Sequence, residues 1–120
     1  MIRELQYNES TILIYEILGK ITLQEEKLWL EQLEKVISEG KKLRIMLILG
    51  EESGWSFSAG VEDLKWILKN YSEFEKVAIV SESKVWEWYV RLDFIAKLSG
   101  VQEHHFLPDE VQKGVSWLSQ

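Results

Sequence analysis

The strongest constraint on this chain is an alternation: apolar runs of strand length are separated by segments whose apolar residues recur at helical period. Leu43 to Leu49 is the clearest run, near-continuously apolar, as expected of a central strand covered on both faces. Val77-Ala78-Ile79-Val80 and Gln102 to Leu107 repeat that length, and Ile2 to Tyr7 with Ile12 to Leu18, joined by Asn8-Glu9-Ser10, read as a β-hairpin. Thr22-Leu23-Gln24-Glu25 has the form of a capping box, in which the threonine hydroxyl accepts from the glutamate N–H and the glutamate side chain reaches back. It opens a first helix with Trp29, Leu30, Leu33, Val36 and Ile37 on one stripe, and Gly40 is placed for the left-handed residue that ends it. A second helix is expected from its cap at Ser58 to Tyr71, with Val61, Leu64, Ile67, Leu68 and Tyr71 inward. Ser83 caps a third, carrying Val85, Trp88, Tyr89, Leu92, Ile95 and Ala96 inward. Pro108-Asp109-Glu110 opens a closing helix, where a missing N–H is harmless and acids complement the dipole. The order ββαβαβαβα predicts an α/β fold: a mostly parallel five-stranded sheet with right-handed crossovers and an antiparallel hairpin strand at one edge.

A chain of 120 residues fits one domain, residues 1–120. Lys and Arg number 14 against 20 Asp and Glu, so the net charge is -6. Nucleic-acid affinity rests on clustered cations that neutralise phosphates, so this balance argues against a nucleic-acid partner and against anionic membranes. The absence of cysteine removes disulfides, thiol metal sites and thiol nucleophiles. Met1-Ile2-Arg3-Glu4 lacks the apolar core of a signal peptide, and the longest fully apolar run, Ile45 to Leu49, is far too short to span a bilayer. A soluble, cytoplasmic protein without an integral membrane segment is the expectation.

Catalytic patterns are missing. Gly50 to Gly54 displaces its serine by one position from a Gly-x-Ser-x-Gly elbow, and no glycine spacing with a following Lys-Ser or Lys-Thr pair cradles a nucleotide. His104 and His105 are adjacent on a predicted strand and so point to opposite faces, which keeps them from sharing a metal ion. Glu62 and Asp63, about 100° apart on a helix, are expected to cap it or pair with Lys65 and Lys69. No cofactor, metal or catalytic set is expected; an enzyme would have to use Ser53 or His105.

Trp55, Phe57, Trp66, Trp86, Trp88 and Tyr89 crowd the segments between two strands. A large aromatic buries about 150 to 250 Å², on the order of 4 to 6 kcal/mol gross, so some of these rings must stack on each other, on a ligand or on a partner. Beyond the inward stripe of the third helix, Trp86, Val90 and Phe94 recur at i, i+4 and i+8, with Lys84, Glu87, Arg91, Asp93 and Lys97 as the polar remainder. On the second helix Trp66 lies opposite Leu64 and Leu68, which predicts that it faces away from the sheet, and Trp55 and Phe57 would close one end of a groove. These rings either pack together between helices or wall an apolar groove or contact patch.

Gly54-Trp55, Glu62-Asp63-Leu64-Lys65, Phe74-Glu75-Lys76-Val77-Ala78-Ile79-Val80, Lys84-Val85-Trp86-Glu87-Trp88, and His105-Phe106-Leu107-Pro108-Asp109-Glu110 with Trp117-Leu118, in this order and spacing, resemble the SpoIIAA-like bacterial proteins. That family is similar to the STAS domains of anti-sigma factor antagonists, a βα superhelix, and has been likened to the lipid-carrying CRAL-TRIO fold. The chain departs from the STAS phosphorylation loop: Gly50-Glu51-Glu52-Ser53-Gly54 places two acids where an added phosphate would be repelled. The resemblance implies a non-catalytic binding module for a nonpolar small molecule or lipid, with transient membrane contact; the residues read as its apolar walls from their spacing are Trp55, Phe57, Trp66, Trp86, Val90 and Phe94. The alternative that it implies is a STAS-like regulatory interaction module that binds a protein partner or a second copy of itself.

Overall fold

Ile2–Leu5 (β1) runs antiparallel to Leu13–Ile17 (β2), and from there every neighbour is parallel. β2 pairs with Leu43–Leu49 (β4), β4 with Phe74–Val80 (β6), and β6 with Gln102–Phe106 (β7), giving the order β1-β2-β4-β6-β7. A separate parallel pair, Lys20–Ile21 (β3) with Gly54–Trp55 (β5), was not anticipated from sequence, because two residues are too few to show a period. The helices are Leu23–Ser38 (α1), Phe57–Asn70 (α2), Trp86–Ser99 (α3) and Val111–Ser119 (α4), the last preceded by a 3₁₀ turn at Pro108–Glu110. This computed structural model describes residues 1–5, 12–82 and 86–120, without the side chains of Trp86, Glu87, Tyr89, Leu92, Ile95 and Ser99. The expected hairpin joint at Asn8-Glu9-Ser10, the Ser83 cap and the inward places of Val85, Tyr89, Leu92 and Ile95 lie outside the described residues.

The expected α/β architecture is present, with the central place of β4 and the antiparallel edge strand as read. Alternation along β4 sends Leu43, Ile45, Leu47 and Leu49 to one core and Met46 to the other. Tyr15, Leu47 and Ile79 share a row across the sheet, on the face covered by α1, α2 and α3. Burial pushes the Tyr15 hydroxyl far above its ordinary pKa. On the opposite face α4 packs Val115 and Leu118 against Ile14, Met46, Ala78, Val80 and Phe106. Arg44 Nη1 donates to the Leu118 carbonyl at 2.6 Å and Lys76 Nζ to that of Trp117 at 2.9 Å. These cations satisfy the last carbonyls of α4, where the dipole favours positive charge.

Local signals held where they were strongest. The Glu25 N–H donates to Thr22 Oγ1 at 3.2 Å and the Thr22 N–H donates to Glu25 Oε1 at 3.0 Å, closing the capping box. Gly40, at φ +80, ends α1 with its N–H donating to Ile37 and that of Lys41 to Val36, the paired bonds of a Schellman turn.

Two readings of α2 are corrected. Its cap is Ser56, whose Oγ accepts from the Ala59 N–H at 3.2 Å, two residues before the expected Ser58. Its inward face carries Ala59, Asp63, Trp66 and Ile67, whereas Val61, Leu64 and Leu68 are exposed by 40, 38 and 50%. Ile67 alone of the expected inward set is fully buried, and Trp66, expected to face away, is in the core. Turning the helix this way buries an indole, which removes more apolar surface from water than a leucine does. Trp66 Nε1 finds an acceptor, donating to Glu34 on α1 at 2.9 Å, and the ring stands edge-on to Phe74. No helix among the described residues is long and apolar enough to cross a membrane.

Candidate functional site

Trp55 sets the geometry of the region. The short β3–β5 pairing brings it beside Ile21, the Ser56 N–H donates to the Ile21 carbonyl at 2.9 Å, and Ser56 then starts α2. The chain thus turns directly from a paired strand into a helix, which places Trp55 and Phe57 at the end of the space between α2 and α3. Phe57 is 89% exposed, so nearly all of its ring faces water. With Ser56, Gly60, Val61, Leu64, Val90 and Arg91 these rings line an open groove of about 660 Å³. Phe94, exposed by 39%, lies one turn beyond Val90 on α3, and Leu68 and Leu98 extend the apolar surface along the two helices.

Beneath the groove lies a buried polar knot contributed by three helices. Glu26 on α1 has no exposed surface, Asp63 on α2 is 5% exposed, and Arg91 on α3 lies with Nε 3.0 Å from Asp63 Oδ2. Arg91 Nη2 donates to the Gly60 carbonyl at 2.8 Å, and its guanidinium lies 4.7 Å from the Trp55 ring centroid. Trp55 in turn stacks on Trp88, one turn before Arg91, at 4.2 Å between centroids. Gly60 lies against both groups: a Cβ there would make ordinary contact with Arg91 Nη2 at 3.4 Å and Trp55 Cβ at 3.5 Å.

Two carboxyl groups face one guanidinium here, so charge balance in a dehydrated site requires one of them to keep its proton. Asp63 is in contact with Arg91 and is the ionised member; burial raises its pKa, while Arg91 and Glu26 pull it back. Glu26 is the protonated one, because burial and the neighbouring Asp63 push its carboxyl up to about 9. In strict geometry both oxygens of Glu26 and the indole nitrogens of Trp29, Trp55 and Trp88 have no hydrogen-bond partner among the described residues. A small cavity of about 50 Å³ lies against this knot, lined by Trp29, Trp66, Trp88, Asp63 and Arg91 among others, and shares Trp55 and Arg91 with the open groove.

Of the six residues singled out from sequence, Trp55, Phe57 and Val90 come together in the groove, whereas Phe94, exposed one turn beyond Val90 on α3, is not among its lining residues. Trp66 does not join them; it is 7% exposed and lines the inner cavity. Trp86 begins α3, and its side chain lies outside the described residues. The pairing of Asp63 with Lys65 or Lys69 is replaced by its pairing with Arg91, which was read as part of the solvent face. A signal for this was present: Glu26 is in phase with Trp29, Leu30 and Leu33, and Asp63 with Ala59, Trp66 and Ile67, so each acid sits on a buried stripe.

The other polar residues occupy ordinary places. His104 stacks near Phe106 and Trp117, whereas His105 Nε2 lies 3.0 Å from the Ser81 carbonyl and 3.2 Å from Ser81 Oγ. A carbonyl only accepts, so Nε2 carries its proton toward it and is not poised as a base for the hydroxyl. Ser53 is 5% exposed, and its Oγ has no hydrogen-bond partner among the described residues. Among the described residues no group of three or more His, Asp or Glu is placed to hold a metal ion.

The model of the SpoIIAA-like family matches residues 12–119. No curated protein matches the chain. Among solved structures it is similar to an uncharacterized protein of the DUF3478 family with a SpoIIAA-like fold from Shewanella loihica PV-4, with 22% identity and a TM-score of 0.70 over 98% of this chain and 92% of that one. With residues 12–119 of the 120 covered by the family model, this chain belongs to the SpoIIAA-like family.

Proposed function

We propose that this protein is a non-catalytic binding module that takes up a nonpolar small molecule in the groove between α2 and α3. The observation that carries this reading is the groove itself: a concavity of about 660 Å³, within the usual range for small-molecule sites, walled by Trp55, Phe57, Val61, Leu64 and Val90. Phe57, at 89% exposure, leaves nearly all of its ring uncovered, which favours a role in contact with something else. Membership in the SpoIIAA-like family supports a binding or regulatory module in general terms. The resemblance of that family to the CRAL-TRIO fold favours a nonpolar occupant and transient contact with a membrane surface from which to collect it.

Native mass spectrometry of gently purified protein tests the reading. A discrete added mass that disappears on denaturation, and that is lost in Val90→Asp without a change in melting temperature, is the expected result. Bare protein that also takes up no added hydrophobic probe overturns it. A second reading has its own support, because Leu68, Phe94 and Leu98 carry the apolar surface past the groove, farther than a small molecule requires. On that reading the same face binds a protein partner or a second copy, and the oligomer distribution in the same spectrum distinguishes the two.

A further inference from the structure

We propose that the occupant of the α2–α3 groove is a single-chain amphiphile with an anionic head, a fatty carboxylate in the first instance, and that Arg91 is the residue that recognises the head. This rests on the groove being a ligand site. Of the eight residues that line it, Arg91 is the one ionic side chain; the rest supply apolar walls, a serine and a glycine. Among the described lining residues, the one ionic group that reaches a ligand is therefore a cation, paired from below with Asp63, although the chain as a whole carries -6.

The guanidinium is held ready for this role. Its Nε faces Asp63, one Nη2 proton goes to the Gly60 carbonyl, and its plane is supported by Trp55. Nη1 has no hydrogen-bond partner among the described residues, and the side chain keeps 22% of its surface exposed at the groove. An arginine offers several donors in a rigid fork, so a second anion can be bound without releasing the first. Because the site is partly dehydrated, a charge-assisted hydrogen bond formed there is stronger than the same bond on an open surface.

The same arrangement discriminates against other ligands. A purely apolar molecule that covered Arg91 would strip water from its free N–H groups and give them no acceptor. A cationic amphiphile would meet like charge. A carboxylate head over Nη1 with its chain along Val61, Leu64 and Val90, toward Phe57, satisfies both halves of the groove.

Calorimetric titration with dodecanoate, dodecanol and dodecyltrimethylammonium, each below its micelle concentration, tests this. Dodecanoate is expected to bind about tenfold or more tightly than dodecanol, a difference of about 1.4 kcal/mol, and the cation not at all. Removing Arg91 alone strands Asp63, so the informative variant is Asp63→Asn with Arg91→Gln, its fold checked by circular dichroism. In it the preference for dodecanoate over dodecanol is expected to vanish while dodecanol binding persists. Equal binding of dodecanoate and dodecanol to the wild type, or a preference that survives in the double variant, overturns the assignment of Arg91 and leaves the groove reading standing. Failure of all three chains to bind overturns both. A wild-type dimer that Phe57→Ser dissolves, with no binding to the dimer, identifies the occupant as a second copy and likewise overturns the proposal.

Discussion

Arg91 Nε on α3 and Asp63 Oδ2 on α2 lie 3.0 Å apart, with Asp63 almost wholly buried, so an ion pair joins the two helices that form the groove. Breaking such a pair from one side leaves an unpaired charge in a dehydrated place. Arg91→Met is therefore expected to destabilise the protein by about 3 to 5 kcal/mol, and adding Asp63→Asn is expected to restore a large part of that loss. Urea unfolding of the single and double variants measures both, and a double variant no more stable than Arg91→Met would contradict the charge argument.

Glu26 gives the fold a pH dependence whose sign is fixed. Its folded-state pKa of about 9 lies above the ordinary value of 4.5, so the folded protein binds a proton that the unfolded chain releases between those limits. The contribution is fully present below the ordinary value and is lost as pH rises toward the folded one, with a slope of at most about 1.4 kcal/mol per pH unit. Glu26→Gln keeps a neutral, similarly shaped side chain. It is expected to match the wild type near pH 4.5 and to exceed it increasingly by pH 8, as read from urea midpoints across that range.

The two faces of α2 should respond very differently to truncation. Trp66→Ala removes a buried indole and its hydrogen bond to Glu34, for an expected loss of about 3 to 5 kcal/mol. Leu68→Ser, on the exposed face, is expected to stay within about 0.5 kcal/mol of the wild type. Comparable losses at the two positions would restore the orientation read from sequence.

Gly114 marks the closest approach of α4 to the sheet. A Cβ there would fall 2.5 Å from Met46 Cε and 3.3 Å from the Phe106 ring, so Gly114→Ala is expected to overpack this core. Overpacking costs about 1 to 3 kcal/mol, against a gain of about 1 kcal/mol in helix propensity, and a small net loss is expected in thermal unfolding. Shortening the offending chain with Met46→Val should relieve the clash with its terminal carbon, making the alanine less harmful in that background.

At α1, Thr22→Ala removes the hydroxyl that accepts from the Glu25 N–H. A loss of about 1 kcal/mol is expected, and the Glu25 carboxyl, held low chiefly by its bond from the Thr22 backbone N–H, should keep most of its depressed pKa. Carboxyl titration followed by NMR checks the second half of this expectation.

The amino-acid sequence by itself determined what is local or periodic. The Thr22–Glu25 box, the Gly40 terminus, the seven-residue β4 strand and the alternation that makes the sheet parallel are each specified within a few turns of chain, by hydrogen bonds or side-chain period that need no distant partner. Three of the eight groove residues, Trp55, Phe57 and Val90, were legible for a related reason, because an apolar row on α3 and rings at the start of α2 exceed what one packing face can bury, whereas Val61 and Leu64 were read as inward and Arg91 as solvent-facing. Tertiary structure decided the rotation of α2, the burial of Trp66 and the assembly of Glu26, Asp63 and Arg91. In isolation a helix with both a leucine stripe and a tryptophan stripe has two candidate inward faces. The choice fell to the face on which Glu34 accepts the Trp66 indole N–H and Arg91 compensates Asp63, partners that lie on other helices and come within reach only when the chain is folded.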